Sequence, residues 1–337
     1  MRAFVVSAPR TAAVEEVAAP APGPHDLLVD VERVGICGTD VELYSGQMAY
    51  LDQGITHFPL RLGHEWTGTV SAAGSPANEH WIGKRITGDT MLGCGHCRFC
   101  LAGHQHVCPD RFEVGILDGW AGALAEQMLI PARFALEIPD SVSVTAAALV
   151  EPGGNSLRAV DATALESGQS LLILGAGTIG LLAAQFALAR GIEVHLAGDR
   201  QSSLELARTL GVQHTHAMDE LDGRDYAAVI DATSSTTAPG LAVRLVDPAG
   251  RIVFIGLSGT PSLVDTREIA LKDVTTVGIL SASPGLAGAI EMFAGGHVTP
   301  DPIVAEVVGL AEVAERLDGH RGPNAGPGPK VHVDPRL

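Results

Sequence analysis

Positive charge is scarce in this 337-residue chain: Lys and Arg total 22 against 39 Asp and Glu, a formal net charge of −17. That balance argues against nucleic acid or an anionic membrane surface as the main partner, since both are bound by neutralising phosphates. It leaves small ligands open, because local positive sites can sit in a negative field. Long apolar runs are also missing. No stretch approaches the roughly 20 residues needed to cross a bilayer. The opening, Met1-Arg-Ala-Phe-Val-Val-Ser-Ala-Pro9, has no apolar region of the secretory type, so the expectation is a cytoplasmic protein. Cysteine is sparse: there are five, four of them in one stretch, which fits a reducing compartment better than a disulfide framework. No internal repeat is visible. Disorder is not indicated either, with 46% hydrophobic and 18% charged residues, and the length suggests two domains.

The four clustered cysteines, Cys94, Cys97, Cys100 and Cys108, have the spacing C-x2-C-x2-C-x7-C. Four thiolates so spaced can close round one tetrahedral zinc and leave no position for substrate, which makes the site structural. They consume every cysteine but Cys37. The nearest metal-competent pair to Cys37 is His64-Glu65. One thiolate, one imidazole and one carboxylate, with water in the remaining position, make an open zinc site, and open zinc is a Lewis acid for an alcohol or carbonyl oxygen. Glu151, in Leu149-Val-Glu-Pro152, is a further candidate carboxylate. Singly each residue has a plainer reading: a lone cysteine is usually a small buried hydrophobe.

Residues 1–35 read as strands with Pro-rich breaks, and short Gly- and Pro-punctuated strands continue to about residue 140. From about 142 to 280, apolar strands alternate with Ala/Leu-rich helical patterns, which implies a parallel sheet covered by helices. Residues 285–320 look helical, 322–329 read as a loop, and Lys330–Val333 as a last strand. The clearest unit is Ser170-Leu-Leu-Ile-Leu174 followed by Gly175-Ala-Gly177-Thr178-Ile179-Gly180 and a helix. In that context the first glycine permits the tight turn, the second lets backbone approach a pyrophosphate, and the third lets helix and strand pack. The helix N-terminus then faces the phosphates. About 20 residues on, where an acidic side chain would mark NAD, stand Gly198, Asp199 and Arg200. Gly198 leaves room for a 2′-phosphate that Arg200 can pair with, whereas Asp199 would favour the ribose of NAD. NADP is favoured over NAD.

Together Gly35-Ile-Cys37-Gly38-Thr39-Asp40, Gly63-His64-Glu65, the cysteine lobe, Glu151-Pro152 and the glycine fingerprint, in that order, resemble the zinc-dependent medium-chain dehydrogenase/reductases over essentially the whole length. The resemblance implies an α/β fold. A GroES-like β-rich catalytic domain with the zinc lobe at 94–108 would cover 1–150. A Rossmann doubly wound parallel-sheet domain would cover 151–284, and 285–337 would return to the catalytic domain. It implies two zinc ions per chain. Cys37 and His64, with Glu65 or Glu151, would hold the catalytic one, and Thr39 would relay the proton of the substrate hydroxyl. A Glu-Pro at 151–152 resembles the sorbitol, threonine, butanediol and glucose dehydrogenase branches. Five residues after Cys37, where many polyol and threonine dehydrogenases carry histidine, stands Glu42. A carboxylate there could bind several hydroxyls of a sugar or cyclitol, or it could be a solvated first-turn glutamate favoured by the helix dipole. The expected activity is hydride transfer between a secondary alcohol (polyol, sugar or cyclitol) and NAD(P). The alternatives are a simple or amino alcohol on the same scaffold, and a non-catalytic zinc- and dinucleotide-binding protein. The expected assembly is a homodimer or homotetramer.

Overall fold

The computed structural model describes residues 1–337 apart from Asp118, Asp222 and Arg224. Its contacts divide it into two compact units: Met1–Glu151 with Val304–Gly326 and Lys330–Leu337, and Pro152–Ile303 with Pro327–Pro329. Among the described residues no helix is long and apolar enough to cross a membrane.

The first unit is built round the strand Asp26–Gly35. Its two-residue period buries Leu27, Val29 and Val31 and leaves Asp30 in water. These side chains join Val34, Trp66, Val70, Ile86, Met128 and Ile130 in one core, each worth roughly 1.5–3 kcal/mol when fully buried. The strand pairs antiparallel with Glu65–Ala73, Gln127–Pro131 and Lys330–Val333. Gly35 therefore faces Glu65 on one side and His332 on the other, so three distant parts of the chain meet there. Past this point the chain turns into helix α1 (Gly38–Ser45). Cys37 is its N-cap, and the Asp40 carboxylate accepts the Cys37 backbone N–H at 2.8 Å in a capping box. Gly46, at φ 79°, ends the helix in the left-handed conformation that glycine adopts without strain.

The division between units falls inside helix α2 (Val150–Thr163). The second unit holds six parallel strands: β1 (Ser170–Leu174), β2 (Glu193–Gly198), β3 (His214–Ala217), β4 (Tyr226–Asp231), β5 (Val246–Phe254) and β6 (Thr275–Gly278). Their spatial order is β3-β2-β1-β4-β5-β6, which is the doubly wound dinucleotide-binding order. Leu171 to Leu174 of β1 are all fully buried, as a central strand covered on both faces requires. Helix α3 (Thr178–Ala189) follows β1 and α4 (Gln201–Thr209) follows β2.

Two expectations differ from the structure. The return to the first unit begins at Val304, not at 285. Helix α5 (Leu286–Ala294) buries Leu286, Ala289, Ile290 and Phe293, and Phe293 stacks on Phe186 of α3 with ring centroids 5.9 Å apart, which ties it to the second unit. Residues 285–320 are also not helical throughout: Val304–Val308 is a strand, paired in parallel with Lys330–Val333. The partner strand lies too far along the chain for local periodicity to announce it.

Candidate active site and metal centres

The four lobe cysteines are unpaired thiols gathered at one point. Their sulfurs stand 3.9 Å apart for Cys94–Cys100 and 3.7 Å for Cys97–Cys108. Tetrahedral zinc with bonds of roughly 2.3 Å separates its sulfurs by about 3.8 Å. Backbone N–H groups of Cys94, Cys97 and Cys100 donate to the sulfurs of Cys108, Cys94 and Cys97 at 3.4, 3.4 and 3.5 Å. Backbone donation, led by that of His96, draws the Cys94 thiol down to about 6, while desolvation and the neighbouring sulfurs push Cys100 up to about 12. Four sulfurs this close cannot all ionise without a cation among them, and the donor set fits zinc.

A second group joins Cys37, His64 and Glu65, whose donor atoms all lie within 4.8 Å of one another. Sheet register and the α1 N-cap place it. Glu65 opens its strand opposite Gly35, two residues before Cys37. A side chain at Gly35 would collide with the Glu65 carboxylate, so glycine is required there. The buried Lys330 ammonium donates to both Glu65 oxygens at 2.7 Å and to the Ile36 carbonyl at 2.9 Å, which uses all three of its protons. Burial alone would lower its pKa, but Glu65, Cys37 and Asp40 raise it. Asp40 is fully buried. It accepts the Gly63 N–H at 3.1 Å and stands 3.6 Å from His64 Nδ1. Burial works against its charge, yet His64 and the donors from Cys37 and Gly63 hold it below the ordinary carboxylate range. Burial likewise opposes a charged His64, and Asp40 and Cys37 override that, so the imidazole is held well above its usual value. The pocket thus favours a positive charge beside Asp40, which a bound cation would supply in place of the imidazole proton, and thiolate, imidazole and carboxylate are donors that suit zinc.

Glu151 stands outside that group, buried at the second position of α2. Thr39 is half-buried in the first turn of α1. Glu42 is exposed further along the same helix, with its carboxyl raised by partial desolvation. Asp40 and Lys330 are not among the site residues expected from the sequence. Asp40 had a signal, because it is the third helical residue after Cys37 and therefore able to complete a capping box. Lys330 had none.

In the second unit, a cavity of about 330 Å³ is lined by Gly175, Ala176, Gly177, Gly198, Asp199, Arg200, Ser203, Met218, Thr233 and Ser234 among others. Gly175 has φ 105°, a left-handed turn. A side chain on Gly180 would strike the Gly175 carbonyl, so the third glycine serves packing. Thr178, Ile179 and Gly180 form the first turn of α3, and Gly177 is its N-cap. A Cβ at Gly198 would lie 2.7 Å from the Ala176 methyl, which keeps a larger residue out of the end of β2. Thr233 and Ser234, beyond β4, were not expected. Asp231 organises that turn by accepting the Thr233 N–H at 3.0 Å and its hydroxyl at 2.8 Å.

Comparison with known proteins agrees with this fold. The family model for the alcohol dehydrogenase GroES-like domain matches residues 23–140, and that for zinc-binding dehydrogenases matches 178–294. An L-threonine 3-dehydrogenase of Mesorhizobium japonicum is 33% identical over 79% of this chain and 79% of its own length. One from Deinococcus radiodurans is 32% identical over 78% of each. A structure from Sinorhizobium meliloti described as a zinc-binding dehydrogenase bound to NADP superposes with a TM-score of 0.90 at 29% identity, over 99% of each chain. The alcohol dehydrogenase TADH of Thermus sp. ATN1 gives 0.88 at 25% identity, also over 99% of each. A thiolate–imidazole–carboxylate cluster, a four-cysteine lobe and a glycine-lined cavity on a doubly wound sheet, with these relatives, place the chain in the zinc-dependent medium-chain dehydrogenase/reductases as an enzyme of alcohol dehydrogenase type.

Proposed function

We propose that the enzyme oxidises a secondary alcohol flanked by further hydroxyls, of the polyol, sugar or cyclitol class, with NADP favoured over NAD and two zinc ions per chain. The grouping of Cys37, His64 and Glu65 beside the helix that presents Thr39 and Glu42 carries this reading. Cys37, His64 and Glu65 would hold one ion, with Glu151 the competing carboxylate, and the cysteine lobe the other. Bound zinc supplies a Lewis acid that favours the alkoxide form of an alcohol, and a bound nicotinamide takes up hydride. Thr39 receives the proton of the substrate hydroxyl. Asp40 orients His64, and Lys330 fixes the Glu65 carboxylate. Glu42 accepts hydrogen bonds from neighbouring hydroxyls. Backbone N–H groups at the N-terminus of α3 take the pyrophosphate. Gly198 and Arg200 leave space and charge for a 2′-phosphate.

L-Threonine is a second reading, favoured by the identity to the two threonine dehydrogenases. A screen of polyols, sugars, cyclitols and L-threonine with NAD and NADP in parallel separates the two. Turnover of L-threonine with no polyol turned over would overturn the first reading. In the same assay Glu42→Gln is expected to raise KM for a polyhydroxy substrate several-fold, and an unchanged KM would return Glu42 to a solvated helix residue. We also propose a cytoplasmic homodimer or homotetramer. Five unpaired thiols support a reducing compartment, and sedimentation gives the subunit number.

A further inference from the structure

Strands β2 and β3 carry a group of side chains that neither the cysteine sites nor the nucleotide cavity uses. Parallel pairing sets His195 of β2 opposite His214 of β3. The two-residue strand period puts Glu193 on the face of His195, and His216 on the face of His214. The result is a two-by-two patch at the margin of the sheet, where β3 is the outermost strand. The donor atoms of Glu193, His195 and His214 all lie within 4.8 Å of one another. His195 is buried at the centre: its Nε2 is 2.9 Å from Glu193 Oε1, and its Nδ1 is 3.0 Å from His216 Nε2. Tyr226 packs edge-on against its ring at 5.1 Å.

We propose that Glu193, His195 and His214 form a further metal site, for a divalent transition ion of the Zn²⁺ class. Two imidazoles and one carboxylate select such ions over Mg²⁺ or Ca²⁺. Both ring nitrogens of His195 have neighbours: His216 at Nδ1 fixes the ring, as an outer partner does for a ligating histidine, and Nε2 is thereby aimed at Glu193. When His195 Nδ1–H donates to His216, Nε2 and Glu193 Oε1 are two acceptors facing each other at 2.9 Å. In the metal-free protein a proton on Nε2 joins the two, and a dication can take its place, since a nitrogen and an oxygen on one ion of the Zn²⁺ class at bonds of roughly 2.0–2.2 Å lie about 3 Å apart. The His214 ring is stacked on His195, 4.4 Å between centroids and 9° from parallel, so it must turn to present a nitrogen. It is exposed on the outermost strand and can do so while His195 stays fixed. Water completes the shell. The ion would clamp β3 to β2.

The test uses the full-length zinc-loaded protein, dialysed against micromolar free Zn²⁺, with metal counted per chain. Wild type is expected to hold one ion more than either His214→Ala or Glu193→Gln, and affinity at this site to fall at least about tenfold in each variant. Both substitutions lie at partly or fully exposed positions, and circular dichroism checks that the variants are folded. Co²⁺ bound here should give d–d bands without the thiolate charge-transfer bands of the cysteine sites. Equal zinc content in wild type and both folded variants overturns the proposal, as does a cobalt spectrum with thiolate bands alone. The comparison is a difference between variants of β2 and β3, so its outcome is independent of the dehydrogenase reading.

Discussion

The cysteine lobe and the Cys37 cluster use overlapping chemistry and are assembled in opposite ways. The lobe draws all four donors from residues 94–108, and short turns with N–H···S bonds place them. Nothing beyond that segment is needed to specify its ligands. The Cys37 cluster draws on the end of one strand, the start of a second and, through Lys330, a third strand 265 residues from Glu65. The lobe has four identical soft donors, and its one Lys or Arg, Arg98, lies over the Phe99 ring. The cluster has mixed donors, and the Lys330 ammonium is built in against Glu65. A site closed by its own segment can brace a loop. A site held by strand register draws its donors from segments far apart in the chain.

The sharpest way to separate the two is to remove one thiol from each. Cys37→Ser is expected to lose one zinc and to slow alcohol oxidation by roughly 10³-fold or more, the loss of several kcal/mol of charge stabilisation. Cys108→Ser should lose the other zinc and act mainly on the thermal unfolding midpoint. Metal analysis with initial rates decides, and equal loss of rate in both would break the distinction. Next in size is Lys330→Met, which leaves the Glu65 carboxylate buried without its cation. It should cost about 3–5 kcal/mol in denaturant unfolding, with no counterpart for any single charge change in the lobe. Asp40→Asn keeps the cap acceptor but weakens the field on His64, and should lower zinc affinity or kcat/KM about 10- to 100-fold.

The smallest effect is a pH dependence. His332 is fully buried with neither ring nitrogen hydrogen-bonded, and burial, Lys330 and Arg33 hold its pKa well below the ordinary value. Below about pH 6.5 the unfolded chain takes up a proton that the native imidazole refuses, so stability falls as pH falls and is flat above. Wild type should lose up to about 1.4 kcal/mol per pH unit more than His332→Leu below that point. Parallel slopes for the two proteins in urea unfolding between pH 7 and 5 would remove His332 from the account.

Features set by short-range pattern are legible in the order of the residues alone. The cysteine spacing names the lobe, and strand–glycine–helix order names the cofactor cavity, where Gly175, Gly177, Gly198, Asp199 and Arg200 line one wall. Asp40 is half legible, as a capping residue whose second partner, Gly63, is distant in sequence. The start of the return at Val304 is not legible, because the strand that defines it pairs with Lys330–Val333, far along the chain.

By itself, then, the sequence determined the donor types, the division of the cysteines into four and one, and the doubly wound sheet, since each is written in contiguous residues. Only the tertiary structure decided that Glu65 rather than Glu151 groups with Cys37 and His64, that Gly35 must be bare for Glu65 to fit, and that Lys330 holds Glu65 in place. Those are facts of register between strands far apart in the chain. A one-residue slip in register turns every side chain to the other face, and no local pattern records which register wins.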